Sequence, residues 1–238
     1  MLEIETDGPL AVLTMNRPEK RNAMCDALLD RIAAFFDAPP EGVKVAVLAG
    51  AGGHFCSGLD LAEQELRDAE GTMRHSRGWH RVMDRVQFGG LPVVACLTGA
   101  VIGGGLELAA AAHVRVAEPS ARFQLPEGRR GIFVGGGASV RIGRLIGPDR
   151  MTEMMLTGRT YGAEEGVRLG FAHEIVAEGQ GLARARALAL QIAGNAPLSN
   201  YIMIQALARI ADMGRAEGLF TESLCAALTQ TSPDAVEG

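Results

Sequence analysis

The stretch 100-AVIGGGLELAAAAHVRV-116 decides how this chain is read. From Leu91 to Ala112 the one side chain charged at neutral pH is Glu107, three residues after the middle of a glycine triplet. The run is long enough to span a membrane, but it contains Pro92, four glycines and the acid, and lacks basic flanks on one side. A buried strand turning into a buried helix fits better. The first N–H groups of a helix have no intrahelical acceptor and lie at the positive end of its dipole, and glycine lets a ligand approach them closely. A carboxylate one turn in shares that face. Apolar surroundings raise its pKa and the helix start lowers it, which suits proton transfer near neutrality. A structural carboxylate paired with an arginine is the plainer alternative.

Outward from this stretch the chain alternates strands and helices. Residues 2–18, LEIETDGPLAVLTMNRP, read as an antiparallel hairpin turning at Asp7-Gly8 and stopping at Pro18. NAMCDALLDRIAAFFDA (22–38) carries helical spacing with Asn22 as its N-cap. VKVAVLAG (43–50) is a continuous apolar strand running into the loop GAGGHFCSGLDL (50–61). A polar segment from Glu63 to Val86 reads as helix, LPVVACLTG (91–99) as a second strand, ARFQLPE (121–127) as a further one, and the chain from Ser139 onward as mostly helix. The class is α/β, with parallel strands where crossovers intervene. Residues 1–190 are expected to form the core and 191–238 a C-terminal helical region. The Ala-, Leu-, Ile- and Met-rich helices there predict packing on the core or on another copy.

The 238 residues are 47% hydrophobic and 21% charged with a formal charge of −5, a globular composition that favours neither nucleic acid nor an anionic membrane as partner. Cys25, Cys56, Cys96 and Cys225 are scattered without a C-x-x-C, and the polar N-terminus reads as no secretory signal, so a reduced, cytoplasmic protein with buried thiols is expected. Cys56 lacks the context of a nucleophile. No P-loop or G-x-G-x-x-G occurs among the glycine clusters, and the five histidines show no zinc-ligand spacing. Neither a nucleotide cofactor nor a metal is expected. FCSGLDL (55–61) offers a second set of backbone donors after a strand, and two such donors converging on one carbonyl oxygen make an oxyanion hole. Tight turns and close packing account for the glycines equally well. A second acid, Glu127, follows Pro126 in FQLPEGRRGIFVGGG (123–137), although Arg129 and Arg130 beside it also fit a solvated loop.

Taken together, HFCSGLDL (54–61), the whole of 91–127 and LTGRTYGAEEGVRLGFAHEIV (156–176), in that order, resemble the enoyl-CoA hydratase/isomerase, or crotonase, superfamily, and NRPEKRNAM (16–24) resembles its CoA-adenine loop. The resemblance runs from about residue 3 to 230. It implies a crotonase-like spiral of ββα units whose C-terminal helices build a homotrimer or homohexamer. It implies a thioester oxygen held by the N–H groups of Leu59 and Gly104, with Glu107 and Glu127 flanking the double bond of a 2-enoyl-CoA. Having both acids favours hydration over isomerisation, which needs one glutamate as proton shuttle. Some relatives resemble RNA-binding or scaffold proteins, against which the acidic charge weighs. Water is then the second substrate, CoA is part of the first, and no further cofactor is implied.

By the same resemblance Lys20, Arg21, Ala23, Asp60 and Leu61 line the adenine and pantetheine path. Trp79, Met83 and Phe88, with GIFVGGG (131–137), line the acyl pocket, though Trp79 and Met83 could equally be plain core. Two departures stand out. Leu125 occupies the place where many hydratases carry a polar residue, so a partner for Glu127 is missing. The sequence ends at Gly238, where relatives continue into a helix with basic residues, so either the hold on the CoA phosphates differs or the chain is shortened.

Overall fold

The alternating start forms the expected hairpin. β1 (Leu2–Asp7) pairs antiparallel with β2 (Leu10–Met15), and Gly8 in the turn takes φ +55°. The structure, a computed structural model, describes residues 1–63 and 67–237. Asn22 does not cap the next helix: α1 (Asp26–Asp37) starts from Cys25 with no side-chain cap. Asn22 is instead fully buried at φ +58°. Its Oδ1 accepts the Arg17 N–H at 2.8 Å, while its Nδ2 donates to the carbonyls of Ala51 (2.9 Å) and His54 (2.6 Å). The amide thus laces two loops together instead of starting a helix.

The chain continues through β3 (Val45–Gly50), α2 (Ala69–Phe88), β4 (Val93–Leu97), β5 (Ala100–Ile102) and α3 (Gly104–Ala111). The helix expected from Glu63 begins at Ala69, where the Asp68 carboxylate accepts the Gly71 N–H at 2.7 Å. Of that expectation, residues 64–66 lie outside the described residues. Next come β6 (Val114–Ala117), β7 (Arg122–Gln124), α4 (Ala138–Ile146), α5 (Pro148–Thr157), β8 (Tyr161–Gly162), α6 (Ala163–Leu169) and β9 (Glu174–Ile175). The two-residue strands β8 and β9, too short to show alternation, interrupt the stretch read as helical. α7 (Gly181–Ala193), α8 (Pro197–Ile210), α9 (Arg215–Gln230) and α10 (Pro233–Glu237) finish the chain.

The strands form a six-stranded sheet of order β1-β2-β3-β4-β6-β9, parallel beyond the first pair, and a small sheet β5-β7-β8. An isolated bridge between Cys56 and Val101 adds to the small sheet's edge. Successive turns therefore repeat one plan: a long-sheet strand, a short-sheet strand, a helix. β4-β5-α3 and β6-β7-α4 follow it, and β3, the Cys56 bridge and α2 make an abbreviated turn. This is a spiral of ββα units.

Both faces of the middle of the large sheet are covered, so β3 and β4 are apolar throughout, whereas the edge strand β1 is exposed beyond Leu2. Leu13, Leu48, Ala95 and Leu97 face the main core with α1, α2 and α3; Val12, Val47, Val94 and Cys96 face Ala185, Ala189 and Ala193 of α7. Small residues on α7 let it lie close to the sheet. The 190/191 boundary expected from the sequence falls inside this helix, and α8 is the first helix wholly beyond it.

Candidate active site

Gly103, at φ +53°, turns β5 into α3. Its N–H donates to the Gln124 carbonyl at 2.9 Å and its carbonyl accepts the Leu106 and Glu107 N–H groups, so backbone alone holds the junction. The Gly104 N–H, first of the helix, has no acceptor among the described residues. The second loop is pinned by Met24, whose N–H donates to Gly58 (2.7 Å) and whose carbonyl accepts from Asp60 (2.9 Å). In such a parallel bridge the intervening Leu59 turns its N–H to the opposite side, and it too has no acceptor among the described residues. The two loops touch: a Cβ on Gly58 would stand 3.2 Å from the Gly104 nitrogen.

Glu107 is 3% exposed and forms no ion pair with an arginine among the described residues. Its Oε1 accepts the N–H of Gly136 (3.0 Å) and of Ala138 (3.1 Å), so the carboxylate sits on the N-terminus of α4. A Cβ on Gly136 would come within 2.1 Å of Oε2, which is why a glycine stands there. Burial pushes the Glu107 pKa up to about 7, against the lowering pull of those two amides and with a further upward push from Glu127. The helix start that opposes burial is therefore that of α4, not of its own α3. Sequence reading placed 131–137 in the acyl pocket and missed this role; the only hint was a second glycine triplet.

Glu127 is 8% exposed and opens a 3-10 turn, Glu127–Arg130. Burial raises its pKa, with Arg130 pulling the other way. Arg129 and Arg130 are exposed, and the Arg129 guanidinium donates to the Thr157 carbonyl at 2.8 Å. Leu125 is fully buried in the core, and Glu127 Oε2 has no hydrogen-bond partner among the described residues. The solvated-loop reading of Glu127 is thereby corrected.

Glu107, Glu127, Leu59 and Gly104 all line one cavity of about 190 Å³. Trp79 lines it too, its ring packed where a Gly104 side chain would stand. Met83, one turn on, is fully buried in the main core and does not line it. Phe88 ends α2 beneath Arg209, whose guanidinium lies 4.1 Å from the ring centroid, and is likewise outside the cavity. Met83, four residues after Trp79, keeps nearly the same side of the helix but lies one turn further on, within the core. Phe88, nine residues on, points to the opposite side, so neither shares the surroundings of Trp79.

The remaining expected residues cluster beside the Leu59 loop. Asp60 is 4% exposed, bonded to Arg17 at 2.8 Å with Lys20 at 3.8 Å, and these cations hold its carboxyl below the ordinary range. The Lys20 carbonyl accepts from Ser57 Oγ, the Arg21 carbonyl from the Ser57 N–H, and the Ala23 carbonyl from Arg17. Leu61 is exposed. Arg21 and Asn22 both adopt positive φ, a strained pair held by these contacts. Cys56 is fully buried with its pKa pushed up to about 12, no condition for a nucleophile. Cys25 and Cys96 are buried as well, but Cys225 is only partly so.

A ββα spiral with two loop amides and two buried glutamates around one cavity defines a crotonase-fold protein. A family profile described as "Enoyl-CoA hydratase/isomerase" matches residues 5–238. The mevalonyl-coenzyme A hydratase SIDH of Beauveria bassiana is 40% identical over 198 residues, 78% of this chain and 70% of that one. The short-chain-enoyl-CoA hydratase of Clostridium acetobutylicum is 32% identical over 211 residues, 87% and 80% of the two chains. A crystal structure from Rhodopseudomonas palustris CGA009, whose name assigns it provisionally to the enoyl-CoA hydratases, superposes with TM-score 0.96 at 49% identity, covering 99% of this chain and 92% of that one. The chain belongs to the enoyl-CoA hydratase/isomerase family. No described helix is long and apolar enough to cross a membrane.

Proposed function

We propose that the protein is an enoyl-CoA hydratase, adding water across the 2,3 double bond of a 2-enoyl-CoA. The observation that carries this reading is that both glutamates open onto the one cavity that the Leu59 and Gly104 loops also line. The thioester oxygen takes the Leu59 and Gly104 N–H groups. Glu107, with its pKa near 7, removes a proton from water as the oxygen bonds to C3. The π electrons move onto the thioester as an enolate, whose charge the two amides stabilise; each such donor is worth on the order of 3 kcal/mol. Glu127, whose carboxyl burial pushes toward its protonated form, delivers a proton to C2. Proton exchange with solvent resets the pair, so the net change is one water added. Lys20, Arg21, Ala23, Asp60 and Leu61 line the path of the CoA moiety, and no cofactor beyond the substrate takes part. The hydratase names of relatives support the reading.

Purified protein mixed with crotonyl-CoA in oxygen-18 water tests it. Loss of the conjugated thioester absorbance with the label on C3 is expected. Turnover of a 3-enoyl-CoA without label incorporation would make the enzyme an isomerase instead.

A further inference from the structure

The side of α2 that fronts the cavity is not the wall of an aliphatic pocket. Thr72, His75, Ser76 and Trp79 recur at helical three- and four-residue spacing, and all line the cavity holding the two glutamates. Arg67, just ahead of the helix, lines it as well. Of the five only Trp79 is apolar. Ser76 is already committed, donating to the Gly135 carbonyl at 2.6 Å.

Arg67 and His75 have side chains 24% and 25% exposed, and both lean on Asp26. His75 Nε2 is 3.0 Å from Asp26 Oδ1, whereas Arg67 Nη2 is 3.9 Å from Oδ2, beyond hydrogen-bond range. Asp26 does not itself line the cavity. A guanidinium carries five donors, and this carboxylate engages it by proximity alone. A hydrocarbon tail lying here would strip water from a cation and return nothing. A carboxylate would gain paired, charge-assisted bonds.

Thr72 lies about 10 Å along the helix axis from Trp79, which packs on Gly104 beside the reacting carbons. Several methylenes therefore separate the double bond from Arg67, and Ile132, Phe133 and Val134 provide apolar lining for them.

We propose that the acyl group of the preferred enoyl-CoA ends in a carboxylate, taken by Arg67 with His75 and Thr72 beside it. The inference rests on the hydratase reading above and narrows its substrate to the CoA monothioesters of unsaturated dicarboxylic acids. The test compares kcat/KM for hex-2-enedioyl-CoA and hex-2-enoyl-CoA, and for the corresponding eight-carbon pair, in the wild type, Arg67→Leu and Arg67→Lys. The dioyl thioester should be preferred by at least 10-fold at one chain length. Arg67→Leu should cut that preference by roughly 10- to 100-fold, and Arg67→Lys should restore part of it. Equal rates on the two members of each pair, or a preference for the monoacid, overturn the inference and leave the hydratase reading standing. An equal loss on both substrates in Arg67→Leu also overturns it, placing Arg67 on the CoA moiety. Failure of the wild type on all four thioesters sinks the hydratase reading, and this one with it.

Discussion

Glu107 and Glu127 differ in how their burial is answered. Glu107 gives one oxygen to two amides, and burial still lifts it to about 7; Glu127 has an oxygen with no hydrogen-bond partner among the described residues. Glu107→Gln keeps an oxygen for Gly136 and Ala138 but removes the base, so kcat should fall roughly 10²- to 10⁴-fold with KM little changed. Glu127→Gln should do the same by removing the acid. In the wild type, hydration should decline as pH drops below about 7, because Glu107 takes up its proton. A pH profile of kcat from about 5 to 9 checks this limb, and a flat acid side would remove Glu107 as the base. Glu107 was legible in the sequence because a lone charge in an apolar run is conspicuous, whereas Glu127, with Arg129 and Arg130 beside it, stood out only by its place after Pro126 and by the family resemblance. The partners of Glu107 were not legible, since Gly136 and Ala138 stand 29 and 31 residues away.

At the scale of elements, α4 decides the state of Glu107. The Arg141 side chain, 10% exposed, reaches back to the loop before its own helix: Nη1 lies 3.4 Å from the Gly136 carbonyl, Nε donates to Gln87 at 2.7 Å, and Nη2 pairs with Asp84 at 2.5 Å. It braces the glycine turn against α2 and also pulls the Glu107 pKa down. Arg141→Gln should therefore move the acid limb of the kcat profile to higher pH. Stability in urea should fall by about 1 kcal/mol as the half-buried Gln87 and the buried Gly136 carbonyl lose a donor. An unmoved acid limb would limit Arg141 to a structural brace. Helical and alternating periodicity revealed α1, α7 and the long strands. It could not reveal β8 and β9, which exist only as partners of other strands, nor the role of Asn22, whose bonds cross from one loop to another.

For the whole molecule, burying Glu107 has a cost that depends on pH. Below its ordinary value of 4.5 the acid is protonated whether the chain is folded or not. Between there and about 7 the unfolded chain releases the proton while the folded one keeps it, so stability falls with rising pH by roughly 3 kcal/mol at most, then levels off. The stability of Glu107→Gln relative to wild type should therefore be greater at pH 8 than at pH 5, measured by urea unfolding at one protein concentration. The C-terminal helices also leave apolar surface in solvent: Phe220, Leu224 and Leu228 recur along α9 and are 66%, 51% and 59% exposed, and Leu207 on α8 is 65% exposed. We propose that this surface is covered by further copies of the chain. Sedimentation should find trimers or hexamers, with Leu224→Glu shifting them toward monomer; a wild-type monomer at micromolar concentration would dismiss the idea. By itself the sequence determined the α/β class, the helix start that carries Gly104, and the two acids, because period, polarity and glycine spacing are properties of neighbouring residues. Only the tertiary structure decided that the two amides and two acids share one cavity, that Met83 and Phe88 stay out of it, and that Arg67 enters. Those facts depend on the angles at which distant segments meet, and no local pattern encodes them.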